Sequence, residues 1–146
     1  MSQFSRHVTV DWKGTLMEGK GQANAGSGAF SLPVTFPQRI GEAGGATSPE
    51  EMIAAAHAAC FAMVIAATMG KKGGTVANHH VTCTVTADKS EAGIKITTSR
   101  LDVIAEGVQG MDAATFEQTV KDAEKGCPVS GALRNSVAIE VHVTVK

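Results

Sequence analysis

Three cysteines supply the residues of this chain best suited to covalent chemistry, and their settings differ. "AAAHAACFAM", residues 54–63, places Cys60 in an alanine-rich run; "GCPVSGALR", residues 126–134, places Cys127 just before a proline; "VTCTVT", residues 81–86, places Cys83 between valines. Cys83 falls on the inward face of an alternating strand, where cysteine behaves as a small hydrophobe. Pro128 reads as the first residue of a short helix, which makes Cys127 its N-cap. A thiol there points at free backbone N–H groups and the positive end of a helix dipole, both of which favour thiolate, although the same residue could simply cap a turn. Cys60 poses the harder choice. Burial among alanines should raise its pKa and leave it inert unless a cation reaches it, so core packing is one reading. Small neighbours support the other: Ala56, Ala58 and Ala59 leave room for a second backbone or a ligand where a packing helix would carry Leu or Ile. His57 lies one turn before Cys60 and could share its face, with a hydrogen-bonded buried histidine as the plainer reading.

The elements that must position these thiols follow from periodicity. Val8, Val10 and Trp12 alternate with polar residues as a half-buried strand, and Phe30, Leu32, Val34 and Phe36 alternate as another, so an antiparallel meander opens the fold. "GEAGGATSPEE" is a loop that ends in a helix start, with Ser48 as N-cap, Pro49 at the first helical position, and Glu50 and Glu51 at the positive end of the dipole. The central helix runs from about Pro49 to Met69 and stops at Gly70; apolar on nearly all sides, it reads as buried. Two strands follow: one with Val81, Cys83 and Val85 inward, the other over about Ile94 to Ala105, with a phase change that predicts a bulge near Thr97 to Ser99. Asp112 caps a second helix that turns Phe116, Val120 and Ala123 inward and ends at Gly126. Val137, Ile139, Val141, Val143 and Val145 mark the last strand. The order reads as α+β with a mainly antiparallel sheet, in one domain over residues 1–146.

Composition narrows the function. The chain has 146 residues, 43% hydrophobic and 18% charged, enough for one core. A formal net charge of −1 with 4% aromatic residues gives no footprint for nucleic acid. The stretch Met52 to Met69 is about long enough to cross a bilayer, but alanine is only weakly apolar and His57 sits near its middle, so no membrane role is expected. The N-terminus shows no secretory pattern, and the expected compartment is the cytoplasm, where an odd number of cysteines argues against a structural disulfide framework.

"SPEEMIAAAHAACF" and "GCPVSGAL", with "WKG" near the start and "FPQR" before the loop, together resemble the OsmC/Ohr family of osmotically inducible and organic hydroperoxide resistance proteins. The resemblance covers nearly the whole chain and is carried by the two cysteine motifs in their order and separation. It is nearer to the OsmC branch, because of "HAACF" with an arginine shortly before the helix. The resemblance implies an OsmC-like α+β fold, an intertwined homodimer, and a thiol peroxidase acting in oxidative and osmotic stress defence. In that scheme Cys60 attacks the O–O bond of an organic hydroperoxide and becomes a sulfenic acid, Cys127 resolves it as a disulfide, and a small or lipoyl-type dithiol restores both thiols. No cofactor or metal is implied. Arg39 matches the cation that would keep Cys60 ionised, and Glu50 the carboxylate that would orient it, roles suited to a planar, permanently charged guanidinium. Glu50 and Cys60 are ten residues apart on one helix, about 15 Å at helical rise, so they cannot meet within it. If Glu50 orients the arginine that serves Cys60, it comes from a second chain. Phe61, Met52 and Met63 would line an apolar approach that favours peroxides with a hydrophobic tail.

Two other classes compete. His57, Cys60 and Cys127 could hold zinc or copper, although the paired C-x-x-C spacing of structural zinc is missing. The dimer cleft could instead bind an apolar ligand without catalysis. A G-x-S-x-G elbow for acyl hydrolysis is absent from the sequence.

Overall fold

The computed structural model describes all residues, Met1–Lys146, and divides into two compact units, Met1–Met52 and Ile53–Lys146. In the first unit, β1 (Val8–Lys13), β2 (Lys20–Ala25) and β3 (Ser31–Val34) form an antiparallel sheet in that order. The meander is therefore as expected, with one more strand than the alternation revealed. β2 reads "KGQANA" and buries only Gln22's neighbours Gly21 and Ala23, too little apolar character to mark a strand. Gly21 faces Trp12 across the ladder, and a Cβ there would meet the indole at 2.8 Å, so glycine is what lets the ring lie across β2. β1 forms where alternation predicts, but neither of its faces is covered: Val8, Val10 and Trp12 are exposed in the single chain.

β3 stops at Val34, and the expected strand does not continue through Phe36. Phe36–Ile40 is a short helix, α1, because Thr35 accepts the Gln38 N–H at its hydroxyl and Pro37 fits a first turn. α1 carries Arg39.

The helix α2 (Pro49–Lys71) starts at Ser48, whose hydroxyl accepts the Glu51 N–H at 3.1 Å, and runs past Gly70. It buries one stripe, His57, Phe61, Ile65 and Met69, at a spacing of four residues. Other positions flank that stripe half-buried, and Ala55, Ala59, Ala66 and Met63 are exposed in the single chain, the last at 67%. An all-round apolar helix was expected to be buried on all sides; one chain covers only part of it.

The second unit is organised by a long hairpin, β4 (Thr75–Ser90) with β5 (Gly93–Gln109), and by β6 (Ala138–Val145). The predicted bulge is present: the register passes from Thr86 opposite Thr98 to Ala87 opposite Ile96, leaving Thr97 unpaired. β6 joins β5 in parallel, a departure from the otherwise antiparallel sheets. The reason is the connection, since α3 (Ala113–Glu124) and α4 (Pro128–Leu133) return the chain to the opposite end before β6 begins. Asp112 caps α3 as expected, accepting the Thr115 N–H at 2.7 Å. Phe61, Ile65 and Met69 of α2, Leu101, Val103 and Ala105 of β5, and Phe116 and Val120 of α3 form the core, which also takes in Cys127. Each large side chain buried there contributes about 1.5–3 kcal/mol, and Phe61→Ala would cost about 3–5 kcal/mol.

Candidate active site

The site in the second unit starts from two helix turns. His57 and Cys60 lie one turn apart on α2, and Cys127 and Ser130 lie one turn apart at the start of α4. Cys127 occupies the N-cap position with Pro128 behind it, as its sequence suggests, but its side chain makes no cap hydrogen bond. The thiol is turned instead toward Cys60, to whose sulfur it donates at 3.3 Å. The free N–H of Val129 is the α4 donor that reaches a sulfur, and that sulfur belongs to Cys60. Thus the helix terminus expected to serve Cys127 serves Cys60.

The balance on Cys60 is set by these neighbours. Burial pushes its thiol above the ordinary range, the Val129 N–H pulls it back, and Cys127 pushes it up again. Cys60 is half-buried and Cys127 is 1% exposed, so an incoming molecule meets Cys60 first. Both thiols are free. At this separation, one oxidised sulfur needs little movement to bond the other.

Behind the sulfurs lies a polar chain that the sequence disclosed only in part. His57 is fully buried, with Nδ1 2.7 Å from Ser99 Oγ and Nε2 2.7 Å from Ser130 Oγ. Burial pushes its pKa down, partly offset by Glu124, so the ring is neutral near pH 7 and can donate at one nitrogen while accepting at the other. Ser99 also lies 3.2 Å from Cys83 Sγ. The hydrogen-bonded buried histidine is thus the arrangement present, and both ring nitrogens are occupied by serines. His57, Cys60 and Cys127 do not make a metal-ligating group. Ser99 and Ser130 were invisible as partners because they lie 42 and 73 residues away in the chain.

The first unit holds the charged pair. Arg39 Nε donates to both Glu50 oxygens at 3.1 Å, and Nη2 donates to Oε1 at 2.7 Å. This side-on fork holds the Glu50 carboxyl below its usual range against the opposing effect of burial, and Glu50 raises Arg39 in return. The structure therefore joins Cys60 to Cys127 within one unit and Arg39 to Glu50 within the other.

The family model described as OsmC-like protein matches residues 41–142. Peroxiredoxin OsmC of Escherichia coli is 39% identical over 134 residues, covering 90% of this chain and 92% of that protein. Organic hydroperoxide resistance protein-like 2 of Staphylococcus saprophyticus is 32% identical over 119 residues, covering 80% and 81%. Among solved structures, an organic hydroperoxide resistance protein OsmC from Legionella pneumophila superimposes with a TM-score of 0.74 at 25% identity, over 99% of this chain and 100% of that one. An organic hydroperoxide resistance protein from Elizabethkingia anophelis shares the fold with a TM-score of 0.77 at 20% identity, each chain fully covered at 100%.

Proposed function

The chain belongs to the OsmC-like family, and from that premise we propose that it is a cysteine-based peroxidase of stress defence that reduces organic hydroperoxides to alcohols. The observation that carries this reading is the 3.3 Å approach of Cys127 to Cys60, with the more accessible sulfur also facing a backbone N–H. In the first step the Cys60 thiolate attacks the distal peroxide oxygen; the O–O bond breaks, Cys60 becomes a sulfenic acid, and the alkoxide leaves as an alcohol after taking a proton. In the second, the Cys127 sulfur attacks Cys60, an S–S bond forms, and hydroxide leaves as water. A dithiol reductant, small or lipoyl-type, then exchanges with the disulfide and regenerates both thiols.

The first step needs thiolate, and burial opposes it. We assign the compensating charge to Arg39, oriented by Glu50. Since Glu50 and Cys60 stand about 15 Å apart along α2, the pair serving each Cys60 is contributed by a second chain, in an intertwined homodimer whose two sites draw on both protomers. Support for such a partner comes from the uncovered alanine face of α2 and from the uncovered Val8, Val10 and Trp12 of β1. α2 is long and apolar enough to span a membrane, but its face is rich in alanine and its buried stripe carries a hydrogen-bonded histidine, which fits packing against protein. The apolar surroundings favour peroxides with a hydrophobic tail over hydrogen peroxide.

The test is peptide mapping by mass spectrometry after one equivalent of cumene hydroperoxide, with free thiols blocked. The expected product is a Cys60 to Cys127 disulfide, lost in Cys60→Ser and replaced by a trapped sulfenic acid in Cys127→Ser. Three unmodified thiols would overturn the proposal.

A further inference from the structure

The two helix turns that carry the sulfurs are joined twice, in reversed order. On α2 the sequence is H-A-A-C, residues 57–60, and on α4 it is C-P-V-S, residues 127–130. Cys60 meets Cys127 at 3.3 Å, and His57 meets Ser130 at 2.7 Å. The first link is the one that reacts. The second lies three residues away on each side and joins groups that are fully buried, so water does not compete for it. On its other nitrogen His57 is held by Ser99 of β5, at the same 2.7 Å, so the ring is anchored to the sheet as well as to α2.

From this we infer that His57 and Ser130 are positioning residues that hold the first turn of α4 against α2, setting how fast Cys127 captures the oxidised Cys60. The inference rests on the peroxidase reading. Disulfide formation must bring the sulfurs from 3.3 Å to about 2.05 Å, with Cys127 approaching in line with the leaving oxygen. α4 is only six residues long; its own Gly131 N–H bond holds the Cys127 carbonyl at 2.9 Å, but no side-chain cap bond at its N-terminus fixes where the thiol points. The neutral ring supplies that constraint from outside: one nitrogen donates and the other accepts, and the two serine hydroxyls complete whichever tautomer is present. Attack on peroxide makes no such demand, because it uses Cys60 and an external oxygen.

The role predicts a split between two rates. Ser130→Ala and Ser99→Ala each remove one equally short hydrogen bond from the same buried ring, but only the first touches α4. Quench-flow with cumene hydroperoxide, with dimedone trapping for the sulfenic acid and mass spectrometry for the disulfide, separates oxidation from resolution. Ser130→Ala is expected to slow resolution about ten- to hundred-fold, from the misplacement of an attacking atom, with oxidation changed by less than about two-fold. Ser99→Ala should resolve close to the wild-type rate, and Ser130→Thr, which keeps the hydroxyl, should do the same. Should Ser130→Ala fail to fold, His57→Asn cuts the same link from α2 and carries the same expectation. Unchanged resolution in the folded variant, equal slowing of both steps, or equal effects of the two alanine substitutions would overturn the inference alone. A wild-type protein that never forms the sulfenic acid would overturn the peroxidase reading and this inference with it.

Discussion

Cys60 and Cys127 sit among apolar side chains of the second unit, where burial pushes the Cys60 thiol up and a single backbone N–H answers it; Arg39 and Glu50 sit in the first unit as a forked ion pair at the start of the central helix. One region holds two adjoining thiols short of charge, and the other holds charge without a thiol. A desolvated thiol is protected and accessible to apolar substrates, but it reacts only as thiolate. A preformed ion pair lends its field at no cost of ordering at the moment of reaction, provided that it is brought to the thiol. On the proposed function the two regions complement each other, and breaking either should fail in its own way.

The largest effect falls on the sulfurs. Cys60→Ser should lower peroxidase turnover by about 10³-fold or more, since no other group replaces the nucleophile. Cys127→Ser should leave the first oxidation intact but stop turnover with a dithiol, read as one equivalent of peroxide consumed per Cys60. Full turnover in Cys60→Ser would move the chemistry elsewhere.

Next comes the charge. Removing a cation beside a thiolate raises the thiol pKa, so, with Arg39 in the role proposed for it, Arg39→Ala should reduce the reactive fraction of Cys60 near pH 7 about ten- to thousand-fold. The loss should be recovered as pH rises, because the thiol ionises without a cation once pH exceeds its own pKa. Glu50→Gln leaves the cation but frees its orientation, and should cost less. The pH dependence of iodoacetamide labelling at Cys60 measures both. Identical profiles for wild type and Arg39→Ala would separate the ion pair from the sulfur chemistry altogether.

An intermediate effect tests the proposed second chain. Met63→Glu places a charge on the exposed face of α2, away from the buried His57, Phe61, Ile65 and Met69 stripe. It should yield monomers by light scattering, with the Cys60 to Cys127 approach intact within each chain and the first oxidation slowed as in Arg39→Ala. A fully active monomer would show that one chain suffices.

Legibility in the sequence divides along similar lines. Local signals were readable because they are enforced locally: Ser48 and Asp112 cap their helices, and the phase change between Ile96 and Ser99 is a bulge. α1 escaped because Phe36 continues an alternating pattern, while the capping hydroxyl of Thr35 and the ring of Pro37 favour a turn of helix. β2 escaped because a strand pairing on both sides needs few apolar residues of its own. In the candidate site the cysteines stood out through their motifs, but which sulfur the α4 terminus serves depends on packing between elements 67 residues apart. His57 was readable as a satisfied core histidine; its serines were not, since any of several hydroxyls could have met it. The open face of α2 shows the same limit, for composition says that a helix will be covered without saying which chain covers it.

The smallest effects distinguish the two regions by acid stability. His57 and Glu50 both have lowered pKa values, from opposite causes: burial for His57, a hydrogen-bonded cation for Glu50. In each case the unfolded chain takes up the proton first, so stability is complete above the unfolded pKa and is lost as pH falls through the folded one. For His57 the loss begins near the ordinary imidazole pKa of about 6.5, and for Glu50 near about 4.3. Urea unfolding followed from pH 8 to pH 3 should accordingly weaken in two stages. His57→Gln should be less stable at pH 8 yet flatter through the first stage, because it has no proton to gain. Glu50→Gln should flatten only the second, by about 1 kcal/mol or less for a partly exposed pair. A first stage that survives His57→Gln would mean that the ring is not held neutral by the fold, and would assign that loss of stability to another group.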